Sequence, residues 1–226
     1  MTRKKIFRIS ALISGISGVV ILVGVIYPIV SYNSIYPKNY TKLVSPVSEK
    51  YTSAVKAATS TQSVDYTQAS NWFPGGASKE DFSTSKVDYY TLTIPALKID
   101  HATVAIGGED LAQHIIQYPG TALPGKRGNA VLFGHSILPI FYNPKNYISI
   151  FSMLPTMKKG DQILVDYDGI SYTYEVEEMF EVMPTDIQVL DQDSSDSFLT
   201  LVTCVPPGDP RNPKRLIVRA RVVLPT

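Results

Sequence analysis

An uncharged stretch near the N-terminus places the strongest limit on what this chain can fold into. Residues 9–30 (ISALISGISGVVILVGVIYPIV) contain no charged side chain. At about 1.5 Å per residue, a helix of this length crosses a hydrocarbon core of roughly 30 Å. The stretch therefore predicts a transmembrane signal anchor. A cleaved signal peptide is the alternative, because residues 31–34 (Ser-Tyr-Asn-Ser) weakly resemble a cleavage site.

The charges on either side of this stretch predict its orientation. Arg3, Lys4, Lys5 and Arg8 precede it, and no acidic residue occurs before Glu49. Because basic residues stay on the cytoplasmic side, we expect residues 1–8 in the cytoplasm, a single pass through the cell membrane and an extracytoplasmic body. Residues 49–226 carry 15 basic and 20 acidic residues. A body of that charge is a poor partner for nucleic acid, so we expect none.

Residues 31–85 differ in composition from both neighbouring parts of the chain. They are rich in Ser, Thr, Ala and Tyr, which predicts a stalk or linker, with one short helix beginning near Ser45. The only tryptophan, Trp72, stands beside Phe73 in front of a Pro-Gly-Gly turn signal. We expect this part to pack, either as a turn docked on the following domain or as a lid over a groove.

From about residue 86 to residue 226 the pattern becomes mainly β. Short runs of Val, Ile, Tyr, Leu and Thr alternate with Gly, Pro, Asn and Asp, and Asp168-Gly169 is typical of a tight hairpin turn. With little helix between the runs, the pattern predicts a sandwich or a closed barrel. The predicted strands are 89–94, 102–106, 129–133, 162–167, 170–182, 198–203 and 215–224, and the predicted short helices are 110–117 and 148–154.

A single cysteine, Cys204, excludes an intramolecular disulfide and a zinc site with several thiolates. It ends the apolar run 198–204 and is followed by Val-Pro-Pro-Gly, which cannot continue a sheet. A strand end beside a loop is a place where a side chain meets a substrate. The alternative is a small buried hydrophobe, although an unpaired thiol outside the cytoplasm is open to oxidation.

A cysteine nucleophile needs a neighbour that favours the thiolate, since an unperturbed thiol has a pKa of about 8.5. His135 follows a predicted strand and Gly134, whereas His101 lies in a turn and His114 on a predicted helix. Arg215 begins the last strand eleven residues after Cys204, so the intervening loop could return its guanidinium to the thiol as an oxyanion donor. The alternative is that Arg215 only decorates the strand, as Arg219 and Arg221 do.

Several motifs together make the chain resemble the sortase family of cysteine transpeptidases. They are Thr200-Leu201-Val202-Thr203-Cys204, Arg215-Leu216-Ile217-Val218 and Leu132-Phe133-Gly134-His135-Ser136, with connecting segments such as Thr121-Ala122-Leu123-Pro124-Gly125. The resemblance covers about residues 87–224. It implies a mainly β fold, a sortase-like closed β-barrel with short helices, preceded here by the predicted transmembrane helix.

The resemblance also implies an activity. Cys204 would attack the peptide bond after the threonine of a Leu-Pro-x-Thr-Gly sorting signal and pass the resulting acyl group to an amine. His135 would act as general acid and base, Arg215 would hold substrate and stabilise the oxyanion, and Thr203 would support the site beside the nucleophile. The implied partners are surface proteins that carry a C-terminal sorting signal. No cofactor is expected, although some relatives bind calcium near the loop that here contains Asp186, Asp191 and Asp193.

The acceptor amine depends on the subfamily. A peptidoglycan precursor serves anchoring enzymes, and a pilin lysine serves polymerases, which often have a second C-terminal span and an Asp-Pro-aromatic lid. This sequence shows neither, so we expect anchoring to the cell wall. Other classes fit less well. An L,D-transpeptidase would need Ser-His-Gly-Cys, a papain-like peptidase would place Cys before His, and an inactive membrane-tethered binding module would not need Cys204, His135 and Arg215 together.

Overall fold

A computed structural model describes residues 3–35, 64–83, 88–211 and 214–223. Its first element is the helix α1, Arg3–Ile35. Within it Phe7–Gly24 has a mean hydropathy of 1.9, and the helix is long and apolar enough to cross a membrane. The predicted apolar helix is therefore confirmed. The helix extends five residues past the uncharged stretch.

The rest of the described chain is built around eight strands. A one-turn helix α2 (Lys79–Phe82) precedes them. They close into a barrel in the order β1-β2-β3-β4-β7-β8-β6-β5, which the pairing of β5 with β1 completes. The strands are β1 Asp88–Ile94, β2 Ile99–Ile106, β3 Ile115–Gln117, β4 Gly128–Phe133, β5 Gln162–Tyr167, β6 Ile170–Val182, β7 Ser197–Val205 and β8 Lys214–Val222.

Two strands in the middle of this order, β4 and β7, are buried along their whole length. They run parallel to each other, and β7 pairs antiparallel with β8. Their alternate side chains fill two separate clusters. Residues such as Leu132 and Leu201 point into the barrel, whereas Phe133 and Val202 belong to a second cluster on its outer face. Burial on both faces explains why these runs contain no charged residue.

Comparison with the predicted elements shows where local pattern fails. The mainly β closed barrel is confirmed, as is the turn at Asp168-Gly169, where both residues have positive φ. The predicted helix 110–117 is wrong, because Asp110 begins a turn and Ile115–Gln117 pairs with β2 as a short strand. The predicted helix 148–154 is also wrong, since that segment forms successive turns. The helix expected near Ser45 lies outside the described residues.

Candidate active site

The strand pair β7 and β8 brings Cys204 and Arg215 together. The two residues are directly opposite each other in the antiparallel register. Leu201, three residues before Cys204, and Leu216, directly after Arg215, point into the barrel. Because successive side chains of a strand point to opposite faces, Cys204 and Arg215 lie on the outer face of the barrel wall. Neighbouring strands are about 4.8 Å apart, so the loop between them returns the guanidinium to the thiol. Cys204 is 1% exposed and Arg215 is 0% exposed.

His135 reaches the same end of the barrel because β4 is the other neighbour of β7. Phe133 pairs with Val202, and the Gly134 amide continues the ladder by donating to the Val202 carbonyl at 3.2 Å. Extending this register two residues beyond Phe133 and Val202 sets His135 opposite Cys204. Gly134 is required here for space, since a Cβ at this position would collide with the Phe151 ring.

Ser136 contributes a contact that the sequence did not suggest. Its Oγ donates to the backbone carbonyl of Cys204 at 2.8 Å, and the side chain is buried. The His135 carbonyl in turn accepts from the Phe151 amide at 3.0 Å. These bonds tie the segment after β4 to the strand that carries the thiol. The only sign of this contact in the sequence is a serine directly after a histidine at a strand end. Its hydrogen-bond partner is 68 residues away in the chain, so local pattern could not predict the contact.

Thr203 lies on the opposite face from Cys204. Its Oγ1 donates to the Gly134 carbonyl at 2.9 Å, and the side chain is fully buried. The residue therefore joins β7 to the end of β4, immediately before His135. Its direct role in oxyanion support stays a prediction.

The other two histidines lie apart from this group. His101 is exposed and its Nδ1 is 2.6 Å from Asp100 Oδ1. His114 packs between the rings of Tyr89 and Tyr147, with centroid distances of 5.3 and 5.8 Å. Of the three histidines, the fold places His135 alone beside Cys204.

Residues 64–83, which we call the covering segment, lie over this end of the barrel. Arg215 Nη2 donates to the Trp72 carbonyl at 2.9 Å, and the rings of Tyr66 and Trp72 each stand 5.4 Å from the guanidinium carbon. The Trp72 ring stacks on Phe133 at 5.1 Å. The expectation that this part of the chain packs is confirmed, and it packs directly over the thiol.

Burial under the covering segment changes the acid–base properties of both titratable groups. It raises the pKa of the Cys204 thiol to about 11, which the positive charge of Arg215 partly opposes. It lowers the pKa of His135, against a smaller opposite effect of the Asp65 carboxylate. In the covered arrangement both groups are therefore neutral near pH 7, and no thiolate–imidazolium pair is present.

The acidic loop expected to bind calcium in some relatives does not form a ligand set here. Asp186 accepts from the Met183 amide and Asp193 from the Ser195 amide, so each carboxylate closes its own turn. Within the ranges that the structure describes, no group of three or more His, Cys, Asp or Glu side chains could hold a metal ion.

An eight-stranded closed barrel with a thiol, an imidazole and a guanidinium at one end defines a candidate cysteine acyl-transfer enzyme. The sequence profile of the sortase domain matches residues 92–223. The chain belongs to the sortase family, a family of transpeptidases.

Individual relatives agree with this family but not on a subclass. Sortase A of Streptococcus agalactiae serotype III (strain NEM316) is 33% identical over 98 residues, 43% of this chain and 37% of that protein. The chain thus matches little more than a third of that relative's length. A sortase D5 transpeptidase from Clostridium perfringens has a TM-score of 0.52 at 25% identity, covering 65% of this chain and 93% of its own.

Two further similar structures are a sortase C and a sortase A. Sortase C-1 from Actinomyces oris has a TM-score of 0.53 at 28% identity, with 60% of this chain and 73% of that chain covered. Sortase A from Corynebacterium diphtheriae has a TM-score of 0.53 at 29% identity, with 61% of each chain covered. Structures of A, C and D types therefore resemble this barrel to the same degree.

Proposed function

We propose that this chain is a membrane-anchored transpeptidase that cleaves a Leu-Pro-x-Thr-Gly sorting signal after threonine and transfers the protein to an amine of the cell wall. The observation that carries the proposal is the register of Cys204 opposite Arg215, with His135 two residues past the end of β4, the other neighbour of β7. Three groups that a pure binding module would not need as a set meet at one place.

In the proposed first step, the Cys204 thiol gives its proton to His135 as the sulfur attacks the threonine carbonyl carbon. The bond to glycine breaks, and His135 donates a proton to the leaving amine. In the second step an acceptor amine gives its proton to His135 and attacks the thioester, which releases the sulfur. Arg215 offers donors to the oxyanion that forms in each step.

The covering segment has to leave before this reaction can occur, because Cys204 is inaccessible beneath it. We propose that the segment acts as a lid. Its Trp72 carbonyl accepts a hydrogen bond from Arg215, so displacement would free that donor for a substrate oxygen. The stacking of Trp72 on Phe133 also blocks the outer face of β4.

The membrane anchor follows from α1, whose window Phe7–Gly24 is apolar enough to cross a bilayer. The basic residues before it favour a cytoplasmic N-terminus and a barrel outside the cell. A sortase anchored this way meets surface proteins as they are exported.

The test of this function is cleavage of a sorting-signal peptide by the full chain in lipid nanodiscs. We expect cleavage between Thr and Gly, complete loss in Cys204→Ala, and transfer to a peptidoglycan cross-bridge amine in preference to a pilin lysine peptide. Cleavage that survives in Cys204→Ala would reject the nucleophile. Preference for the pilin lysine would make the chain a polymerase.

A further inference from the structure

The end of α1 is attached to the barrel close to the candidate site. Tyr32 is 2% exposed, and its hydroxyl donates to Glu181 Oε1 at 2.9 Å. The other oxygen of that carboxylate accepts from Lys214 Nζ at 2.7 Å. Lys214 directly precedes Arg215 on β8. The helix that we propose to span the membrane therefore ends against the strands that carry the site.

A groove lies where α1 meets the connection between β4 and β5. That connection carries His135 near its start and includes two 3₁₀ turns, Pro139–Phe141 and Leu154–Thr156. Both sides of the groove supply apolar surface. Its lining includes Tyr27, Ser31 and Tyr32 from the helix and Pro139, Met153 and Pro155 from the connection.

The position of this groove along α1 gives its depth relative to a bilayer. The uncharged stretch ends at Val30. At about 1.5 Å per residue, Tyr27 lies about 4.5 Å before that end and Tyr32 about 3 Å beyond it along the helix axis. The headgroup region extends roughly 5–8 Å on each side of the hydrocarbon core. The groove is thus at the boundary between the hydrocarbon core and the headgroups, where tyrosine side chains are favoured.

The connection presents two large apolar side chains beside this groove. Ile140 is 72% exposed and Phe141 is 64% exposed. Within residues 88–211 and 214–223 they are the only adjacent pair of exposed large hydrophobic residues. Bonds of the turn itself hold them in place, from the Phe141 amide to the Leu138 carbonyl at 2.9 Å and from the Tyr142 amide to the Pro139 carbonyl at 3.0 Å.

We propose that Ile140 and Phe141 insert into the interface of the same bilayer that α1 spans. This inference rests on the proposed membrane anchoring of α1. Pro139, next to Ile140, lines the same groove as Tyr27 and Tyr32 of α1. Because α1 is the helix that we propose to span the bilayer, lipid is the partner that Ile140 and Phe141 would contact. Together with the bond between Tyr32 and Glu181, the insertion holds the barrel in one orientation. Because His135 lies four residues before Pro139, the candidate site then lies close to the membrane surface.

Depth-dependent fluorescence quenching tests the insertion in the full chain. An environment-sensitive fluorophore is attached to a single cysteine introduced by Phe141→Cys in a Cys204→Ala background. The protein is reconstituted into phosphatidylcholine–phosphatidylglycerol vesicles with and without nitroxide-labelled lipid. Val19→Cys, inside the apolar window, reports whether α1 spans the bilayer.

The matched control is Ile170→Cys. Ile170 is also apolar and 53% exposed, but it lies eleven residues before Glu181 on β6. That separation is about 35 Å along the strand at ~3.3 Å per residue. A second variant, Ile140→Ser combined with the label at 141, tests whether the neighbouring apolar side chain contributes to the insertion.

The proposal predicts strong loss of emission for the labels at 19 and 141, none at 170, and reduced quenching at 141 when Ile140→Ser is present. If the label at 19 is quenched but the label at 141 is no more quenched than the label at 170, the proposed insertion is wrong and the proposed membrane anchor stands. No quenching at 19 rejects the anchor itself, and the insertion with it.

Discussion

Arg215 is a charged side chain with no exposed surface, and its surroundings explain how it is tolerated. Its guanidinium donates to the carbonyls of Trp72 and Lys214, at 2.9 and 3.2 Å, and lies over the rings of Tyr66 and Trp72. A buried charge needs such partners because leaving water is costly. We expect a substrate oxygen to replace the Trp72 carbonyl, so that the donor is already aimed before the oxyanion forms.

Replacing Arg215 tests this role against a matched position on the same strand. We expect Arg215→Ala to lower kcat/KM by about 10²–10³-fold, the range typical for loss of an oxyanion donor. Arg219 lies on the same face but contacts the Phe198 ring and Asp193 instead. Arg219→Ala should therefore change kcat/KM by less than about 3-fold, as for other surface charges. Equal losses in the two variants would contradict the role.

The covering segment is the element whose position decides the state of the site. It contributes Trp72, Phe73 and Phe82 to the outer apolar cluster, which also contains Cys204. Its burial of the site favours neutral forms of the thiol and the imidazole. Because the pKa of Cys204 is raised when covered, ionisation of the thiol favours the uncovered state as the pH increases. Because the pKa of His135 is lowered, protonation favours the uncovered state as the pH falls.

Alkylation of Cys204 measured against pH tests this linkage. In the intact chain the rate should keep rising with pH toward a pKa of about 11. Trp72→Ala removes the stacking on Phe133, and we expect the apparent pKa to fall toward the ordinary value of about 8.5. The thiolate fraction, and with it the alkylation rate near pH 7.5, would then rise by up to about 300-fold.

The control for this experiment is Tyr89→Ala, which removes an exposed aromatic residue on β1 whose ring packs on His114. Its alkylation profile should match that of the unchanged chain. An unshifted profile in Trp72→Ala, with the thermal transition of the barrel still present, would show that the segment does not control access to the thiol.

At the scale of the whole molecule, local pattern predicted the elements better than their assembly. Strand-end positions selected Cys204, His135 and Arg215 as candidates, because alternation and turn residues are local signals. The short β3 could not be found this way, since three residues carry no periodicity and their pairing with β2 is a tertiary contact. The same holds for Ser136 and for the placement of Trp72 over Arg215. Each depends on residues more than sixty positions away.

The helix α1 and the barrel are also in contact at this scale. Tyr32 at the end of α1 donates a hydrogen bond to Glu181. The same carboxylate accepts from Lys214, the residue before Arg215. If α1 spans the membrane, the candidate site is held near the bilayer instead of turning freely on a linker. This arrangement suits a substrate that is itself presented at the membrane.

The most direct test of the central claim is the intact mass of the full chain after incubation with a sorting-signal peptide and no acceptor amine. The proposed mechanism predicts an adduct equal to the N-terminal peptide fragment through threonine, less one water, located on Cys204 and released by an added amine. Trp72→Ala should increase its yield. Peptide cleavage with no adduct in the unchanged chain or in Trp72→Ala would contradict the thioacyl mechanism. An adduct that persists in Cys204→Ala would contradict it too.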